Sequence, residues 1–254
     1  ERIDNPVCKA ILDYREIQKL LSAFIDSLPE MVNPKDGRVH CSFNQYGAKT
    51  GRFSCSDPNL QQIPAKNHEI RMMFIAGEGN VLLSSDFSAQ EPKTLAAMCR
   101  LDGDSQMYDA FMEGKDLYSE IASKSFNVPY EDCLEFNPDG TTNKEGKGRR
   151  SQAKKILLGV LYGRGTASIA EQLGTSTEKA TIIKNSVFKA FPAIKKFESD
   201  SLDMAYDLGY VTTICGRKRR LPELYSDDRS KVAQAERQCV NARIQGSASD
   251  MSKL

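Results

Sequence analysis

Between Asp104 and Gly209 the apolar residues recur mostly at helical steps, while the segments on either side read as short strands. A fold for this chain must therefore hold a helical insertion inside a strand-bearing frame, which predicts the α+β class. Ahead of the insertion, Val32 to Ala65 is rich in Asn, Gly, Ser and Pro and reads as short strands and loops. Residues 80–87, Asn-Val-Leu-Leu-Ser-Ser-Asp-Phe, predict a short buried strand with Asp86 near its carboxyl end, and Ser88 is expected to open a helix through about Arg100. Behind the insertion, Tyr210 to Leu224 predicts a β-hairpin around Cys215-Gly216-Arg217, and Arg229 to Leu254 a helix. From Val7 to Leu28 the spacing of Ile11, Leu12, Tyr14, Ile17, Leu20, Leu21, Phe24, Ile25 and Leu28 predicts an amphipathic helix, which Pro29 should end. Inside the insertion, Phe136 to Gly148 reads as a loop, and a helix from about Thr177 is expected to break near Pro192 and resume to Leu208.

With 254 residues, 40% of them hydrophobic, the chain has the material for a sizeable core. Its 35 basic and 34 acidic residues give a formal net charge of +1, so any nucleic-acid contact must come from local clusters. Two exist: Lys144, Lys147, Arg149, Arg150, Lys154, Lys155 and Arg164, and then Arg217 to Arg220. Taken alone, each cluster reads as a solvated face. The seven cysteines are scattered, odd in number and without a C-x-x-C pair, which argues against a disulfide framework or zinc site and for a reducing compartment. No apolar run approaches ~20 residues and the first residues have no signal-peptide layout, so a soluble, cytoplasmic protein is expected. The start without methionine suggests a fragment.

Three segments carry chemistry. In Asp86-Phe87-Ser88-Ala89-Gln90-Glu91, a carboxylate at a strand end suits Mg²⁺, which takes one or two carboxylates plus phosphate oxygens. The same segment also reads as an S-x-x-E capping box. In the second, Arg150, Lys154, Leu158 and Tyr162 follow at four-residue steps and form one helical stripe ~18 Å long, while Ile156, Leu157, Val160 and Leu161 occupy a face suited to the core. Two cations at the helix start are disfavoured by its dipole, which points to a ligand such as a triphosphate, with the aromatic end left to stack a base. In the third, Arg237, Asn241 and Gln245 share one helix face, and their donors suit the minor-groove acceptors that every base pair presents. An ordinary polar stripe is the competing explanation.

In this order the three segments resemble motif A, the O helix of motif B and the following Q helix of family A DNA polymerases. Thr50-Gly51-Arg52-Phe53-Ser54-Cys55-Ser56-Asp57-Pro58-Asn59-Leu60-Gln61-Gln62-Ile63-Pro64 resembles that family's T-G-R-L-S-S-x-x-P-N-L-Q-N-I-P signature, and Asn33 to His40 matches the segment before it. The Ser-Ala-Gln-Glu-Pro form of motif A is more similar to phage-type members.

The resemblance implies a right-hand polymerase palm of antiparallel sheet with a helical fingers insertion. The end of a thumb helix would cover residues 1–29, palm 30–100, fingers 101–209 and palm again 210–254. It implies primer-template DNA and deoxynucleoside triphosphates as partners, no membrane, and two Mg²⁺ ions in the completed site. Asp86 would bind metal with the carbonyl of Phe87, and Glu91 would be the steric gate against a ribose 2′-hydroxyl. Arg150 and Lys154 would hold the triphosphate, Tyr162 would sit by the templating base, and Arg52, Asn59, Arg237, Asn241 and Gln245 would contact the duplex. Leu158 stands where members usually carry an aromatic residue, and Tyr118 where many carry a phosphate-contacting histidine. The family's His-Asp-Glu motif is expected after the last helix, so the chain reads as a fragment that is inactive alone, needing that motif fused or supplied by a second chain. A phage-type RNA polymerase is opposed by Glu91 at the gate position. A non-catalytic primer-template binder is the remaining rival.

Overall fold

The computed structural model describes residues 5–65 and 67–254, in two compact units that divide between Asp86 and Phe87. Among the described residues no helix is long and apolar enough to cross a membrane. The first four residues of the expected thumb-helix segment lie outside the described ones.

In the first unit Asn5 caps α1 (Pro6–Leu20), its side chain accepting from the Val7 N–H at 2.9 Å. The expected single helix from Val7 to Leu28 does not run through: residues Leu21–Ile25 widen into a π-helical turn and α2 (Ser27–Glu30) restarts beyond it. Nor does Pro29 end a helix. It sits in the first turn of α2, where its missing N–H would have had no intrahelical partner. Phe24 and Leu28 pack with Ile70 of α3 (His68–Met72) into a small core, whereas Val7, Tyr14 and Ile17 on the apolar stripe of α1 are exposed. Periodicity revealed that stripe but not what covers it. Two antiparallel ribbons complete the unit: β1 (Val32–Asn33) with β2 (Arg38–Val39), and β3 (Ser42–Asn44) with β4 (Ser54–Ser56), Phe43 opposite Cys55.

The buried strand expected at residues 80–87 is absent. Residues 81–87 form no regular element, and Leu83 is 91% exposed. A buried strand needs neighbours on both edges to take its N–H and C=O groups. Among the described residues each ribbon pairs only within itself, so this segment has no ladder to join.

The second unit opens with α4 (Gln90–Leu101), two residues later than Ser88 predicted. Ala89, in the left-handed region at φ 51°, stands at the cap position with no side-chain capping bond, so the expected Ser88–Glu91 capping box does not form. Then come α5 (Gln106–Met112), α6 (Leu117–Phe126), α7 (Lys144–Leu161), α8 (Thr166–Leu173), α9 (Thr177–Ala190) and α10 (Pro192–Leu208). The break at Pro192 falls as expected, with proline at the first position of α10.

α7 begins inside the predicted Phe136–Gly148 loop. Asn143 caps it by accepting from the Gly146 N–H at 2.9 Å, and a Cβ on Gly146 would meet the Leu134 carbonyl oxygen at 2.1 Å. The glycine therefore marks close packing rather than a loop. β5 (Tyr210–Thr212) and β6 (Lys218–Arg220) make the expected hairpin, turning through Gly216 at φ 78°. α11 (Arg229–Met251) follows, capped by Asp228.

Leu95, Ile121, Ile156, Leu157, Leu161, Ile169 and Ile194 are fully or almost fully buried together, with Val240 and Ile244 of α11 reaching the same core. Each such side chain stabilises the unit by about 1.5–3 kcal/mol relative to an exposed one. This helical core is what holds α7 and α11 in place.

Candidate nucleotide and nucleic-acid site

The two faces of α7 separate as their spacing predicted. Ile156, Leu157, Val160 and Leu161 are buried, and Arg150, Lys154, Leu158 and Tyr162 lie along the more open side, Leu158 and Tyr162 packing partly against the core. The dipole argument for a ligand does not survive, because α7 starts at Lys144 and places Arg150 in its second turn, beyond the reach of a terminal dipole. What holds the cation is Asp116, through a bidentate pair: Nε to Oδ1 at 3.0 Å and Nη2 to Oδ2 at 2.9 Å.

Asp116 is itself fixed. It caps α6, accepting from the Ser119 N–H at 2.8 Å and the Ser119 hydroxyl at 3.0 Å, while its own N–H donates to the Tyr130 hydroxyl at 2.9 Å. Burial pushes its carboxyl up, but the hydrogen bonds from Arg150 and Ser119 outweigh that and hold it below the usual carboxylate range. Tyr118 lies beneath both cations, its ring 5.4 Å from the Arg150 guanidinium and 5.6 Å from Lys154 Nζ. Burial, with Asp116 nearby, pushes its phenol up, so the hydroxyl stays neutral.

At the far end of the stripe the Tyr162 hydroxyl donates to Glu91 Oε2 at 2.5 Å, tying the end of α7 to the start of α4. Gly163, at φ 64°, lets α11 pass directly underneath: a Cβ there would lie 2.6–2.9 Å from Cγ, Cβ and Cα of Arg237. The second and third segments are thereby brought together. Along α11, Arg237 is exposed and Asn241 and Gln245 are half-buried, and the buried Asn241 Oδ1 accepts no hydrogen bond from any described residue. Gln90 ties α4 to the far end of α11 through the Ala248 carbonyl at 2.9 Å and the Ser252 hydroxyl at 3.0 Å.

Arg52 and Asn59 belong to the first unit. Arg52 is exposed, and the Asn59 side chain accepts from the Gln61 N–H at 3.1 Å, capping the turn Leu60–Gln62. Asp86 is exposed at the end of that unit, and Phe87 is exposed at the start of the next. Among the described residues no three His, Cys, Asp or Glu side chains cluster closely enough to hold a metal ion. An exposed carboxylate such as that of Asp86 has the donor chemistry that Mg²⁺ takes, the ion completing its shell with phosphate oxygens and water.

Sequence reasoning missed Asp116 altogether, although Asp116-Leu-Tyr-Ser119 carries the local signal of a helix cap. It also missed that both basic clusters are partly neutralised: Lys147 pairs with Glu135 at 2.7 Å, Arg149 with Glu145 at 2.9 Å and Arg217 with Asp250 at 2.9 Å.

The family model for DNA polymerase family A matches residues 1–254. The DNA polymerase I of Chloroflexus aurantiacus is 37% identical over 252 residues, covering 98% of this chain and 25% of that protein. The thermostable DNA polymerase I of Thermus aquaticus is 38% identical over 253 residues, covering 98% and 29%. Among solved structures, the POL domain of Pol1 from M. smegmatis, in complex with DNA primer-template and dNTP, superposes with a TM-score of 0.81 at 35% identity, covering 98% of this chain and 41% of that one. The fold is α+β, helix-rich with small antiparallel sheets, and similar to that polymerase domain. The chain belongs to DNA polymerase family A. It spans 25% and 29% of the length of those two relatives.

Proposed function

We propose that this chain forms the nucleotide-handling part of a template-directed DNA polymerase, in which a primer 3′-hydroxyl attacks the α-phosphate of a deoxynucleoside triphosphate, giving up its proton and displacing pyrophosphate as the α–β phosphoanhydride bond breaks. The observation that carries this reading is the α7 stripe of a family A chain: two clustered cations at one end, and an aromatic residue tied to Glu91 at the other. Arg150 and Lys154 hold the triphosphate, over the ring of Tyr118. Tyr162 lies by the templating base, with Leu158 beside the incoming sugar and base. Arg237, Asn241 and Gln245, with Arg52 and Asn59, contact the primer-template duplex, testing its shape rather than its sequence. In this reading residues 30–100 and 210–254 contribute palm, residues 101–209 fingers and residues 1–29 the end of a thumb helix. Asp86 and the Phe87 carbonyl would hold Mg²⁺, which when bound lowers the pKa of the primer hydroxyl and neutralises charge on the phosphates.

The test uses a chimera in which this chain replaces the matching segment of the Thermus aquaticus relative. Lys154→Ala should raise KM for deoxynucleotide about 10- to 100-fold, the loss of one charge-assisted phosphate contact, with primer-template affinity nearly unchanged. Arg237→Ala should act on the duplex instead. Loss of duplex affinity on Lys154→Ala, with normal nucleotide use, would leave the chain a non-catalytic duplex binder.

Glu91 selects the sugar. Because the capping box does not form, Glu91→Ala should lower the melting temperature only by what the lost Tyr162 hydrogen bond contributes, while raising ribonucleotide over deoxyribonucleotide incorporation by about one to two orders of magnitude. An unchanged ratio in single-nucleotide extension would remove Glu91 from the gate.

A further inference from the structure

We propose that Asp116 is a positioning residue for the phosphate grip, holding the Arg150 guanidinium side-on so that its outer edge stays presented to a triphosphate; this rests on the reading of Arg150 and Lys154 given above.

The argument lies in which nitrogens are used. A guanidinium has five N–H donors in a planar fork. Asp116 takes the Nε edge, engaging Nε and one hydrogen of Nη2. That leaves the second Nη2 hydrogen and both on Nη1, and the carboxylate near Nη1 is Glu135, at 3.8 Å and too far for a hydrogen bond. Glu135 is in turn held by Lys147 at 2.7 Å. The free fork is thus the Nη1–Nη2 edge, the geometry that meets two phosphate oxygens.

Asp116 is also a poor competitor for that edge. Its Oδ1 is committed to the α6 cap through Ser119 as well as to Arg150 Nε, and its N–H is anchored on Tyr130, so it cannot swing with the arginine. The Tyr118 ring closes the floor, leaving the guanidinium one plane to lie in. An arginine without these restraints loses rotamer freedom only when it binds ligand; here much of that ordering is complete beforehand.

The experiment measures binding of inorganic tripolyphosphate to the purified 254-residue chain by calorimetry at fixed ionic strength. Asp116→Ser keeps a good α6 cap but cannot reach Arg150. It should weaken binding about tenfold, on the scale of the rotamer entropy of one arginine, with little change in melting temperature. Asp116→Asn, which keeps the shape and loses the charge, should weaken it less. In an Arg150→Ala background Asp116→Ser should have no further effect, whereas a purely structural role would weaken binding by the same factor in both backgrounds. Tighter binding by Asp116→Ser would show the carboxylate to be a competitor and overturn the proposal. So would unchanged binding alongside a weakened Lys154→Ala. If neither Arg150→Ala nor Lys154→Ala weakens binding, or the unaltered chain binds no tripolyphosphate, the phosphate-grip reading itself fails.

Discussion

Asp86→Ala is expected to lower kcat for primer extension in the chimera by about three orders of magnitude or more, with primer-template affinity retained. If Asp86 holds Mg²⁺ as proposed, its loss would remove several kcal/mol of charge stabilisation, and each 1.36 kcal/mol is about a factor of ten in rate. Asp86→Glu and Asp86→Asn sharpen the measurement. Asn keeps the size but not the charge and should be nearly as inactive as Ala, while Glu should retain partial activity at raised magnesium. Extension by Asp86→Ala within tenfold of the unaltered chimera would move the metal site elsewhere in the chain.

The second large effect concerns the seam between α7 and α11. Gly163→Val should destabilise the purified chain by about 2–5 kcal/mol, combining a β-branched residue in the left-handed region with overpacking. The clash is with Cα of Arg237 as well as its side chain, so a change of rotamer cannot relieve it. Gly174 is the control. It has the same φ of 64° but nothing within 4 Å of a Cβ, so Gly174→Val should cost only the backbone strain, about 1–3 kcal/mol. Denaturant titration of both variants separates the two contributions. Equal losses would mean that the close approach of Gly163 to Arg237 contributes nothing to the fold.

Much of the helical insertion was legible because its signals are local. The split of α7 into a core face and a cationic stripe follows from 3.6 residues per turn and survives intact, as do the break at Pro192 and the hairpin around Gly216. Elements whose existence depends on neighbours were misread. Residues 80–87 have the composition of a buried strand, yet a strand is stabilised only by the ladder beside it. The glycines of the expected Phe136–Gly148 loop looked like breakers, but Gly146 sits in the first turn of α7, where the Leu134 carbonyl leaves no room for a side chain. Pro29 looked like a stop signal, and one restart of the helix made it an ordinary first-turn proline.

By itself, then, the sequence determined the family, the helical run between Asp104 and Gly209 and which residues share a face of α7 or α11, since those depend on periodicity and on motif order along the chain. Only the tertiary structure decided which groups meet. Arg150 finds Asp116 across 34 residues, and Tyr162 finds Glu91 across 71. The physical reason is range: a hydrogen bond or ion pair acts over about 3 Å, and nothing in the spacing of residues along a chain says which side chains the packed core will bring that close.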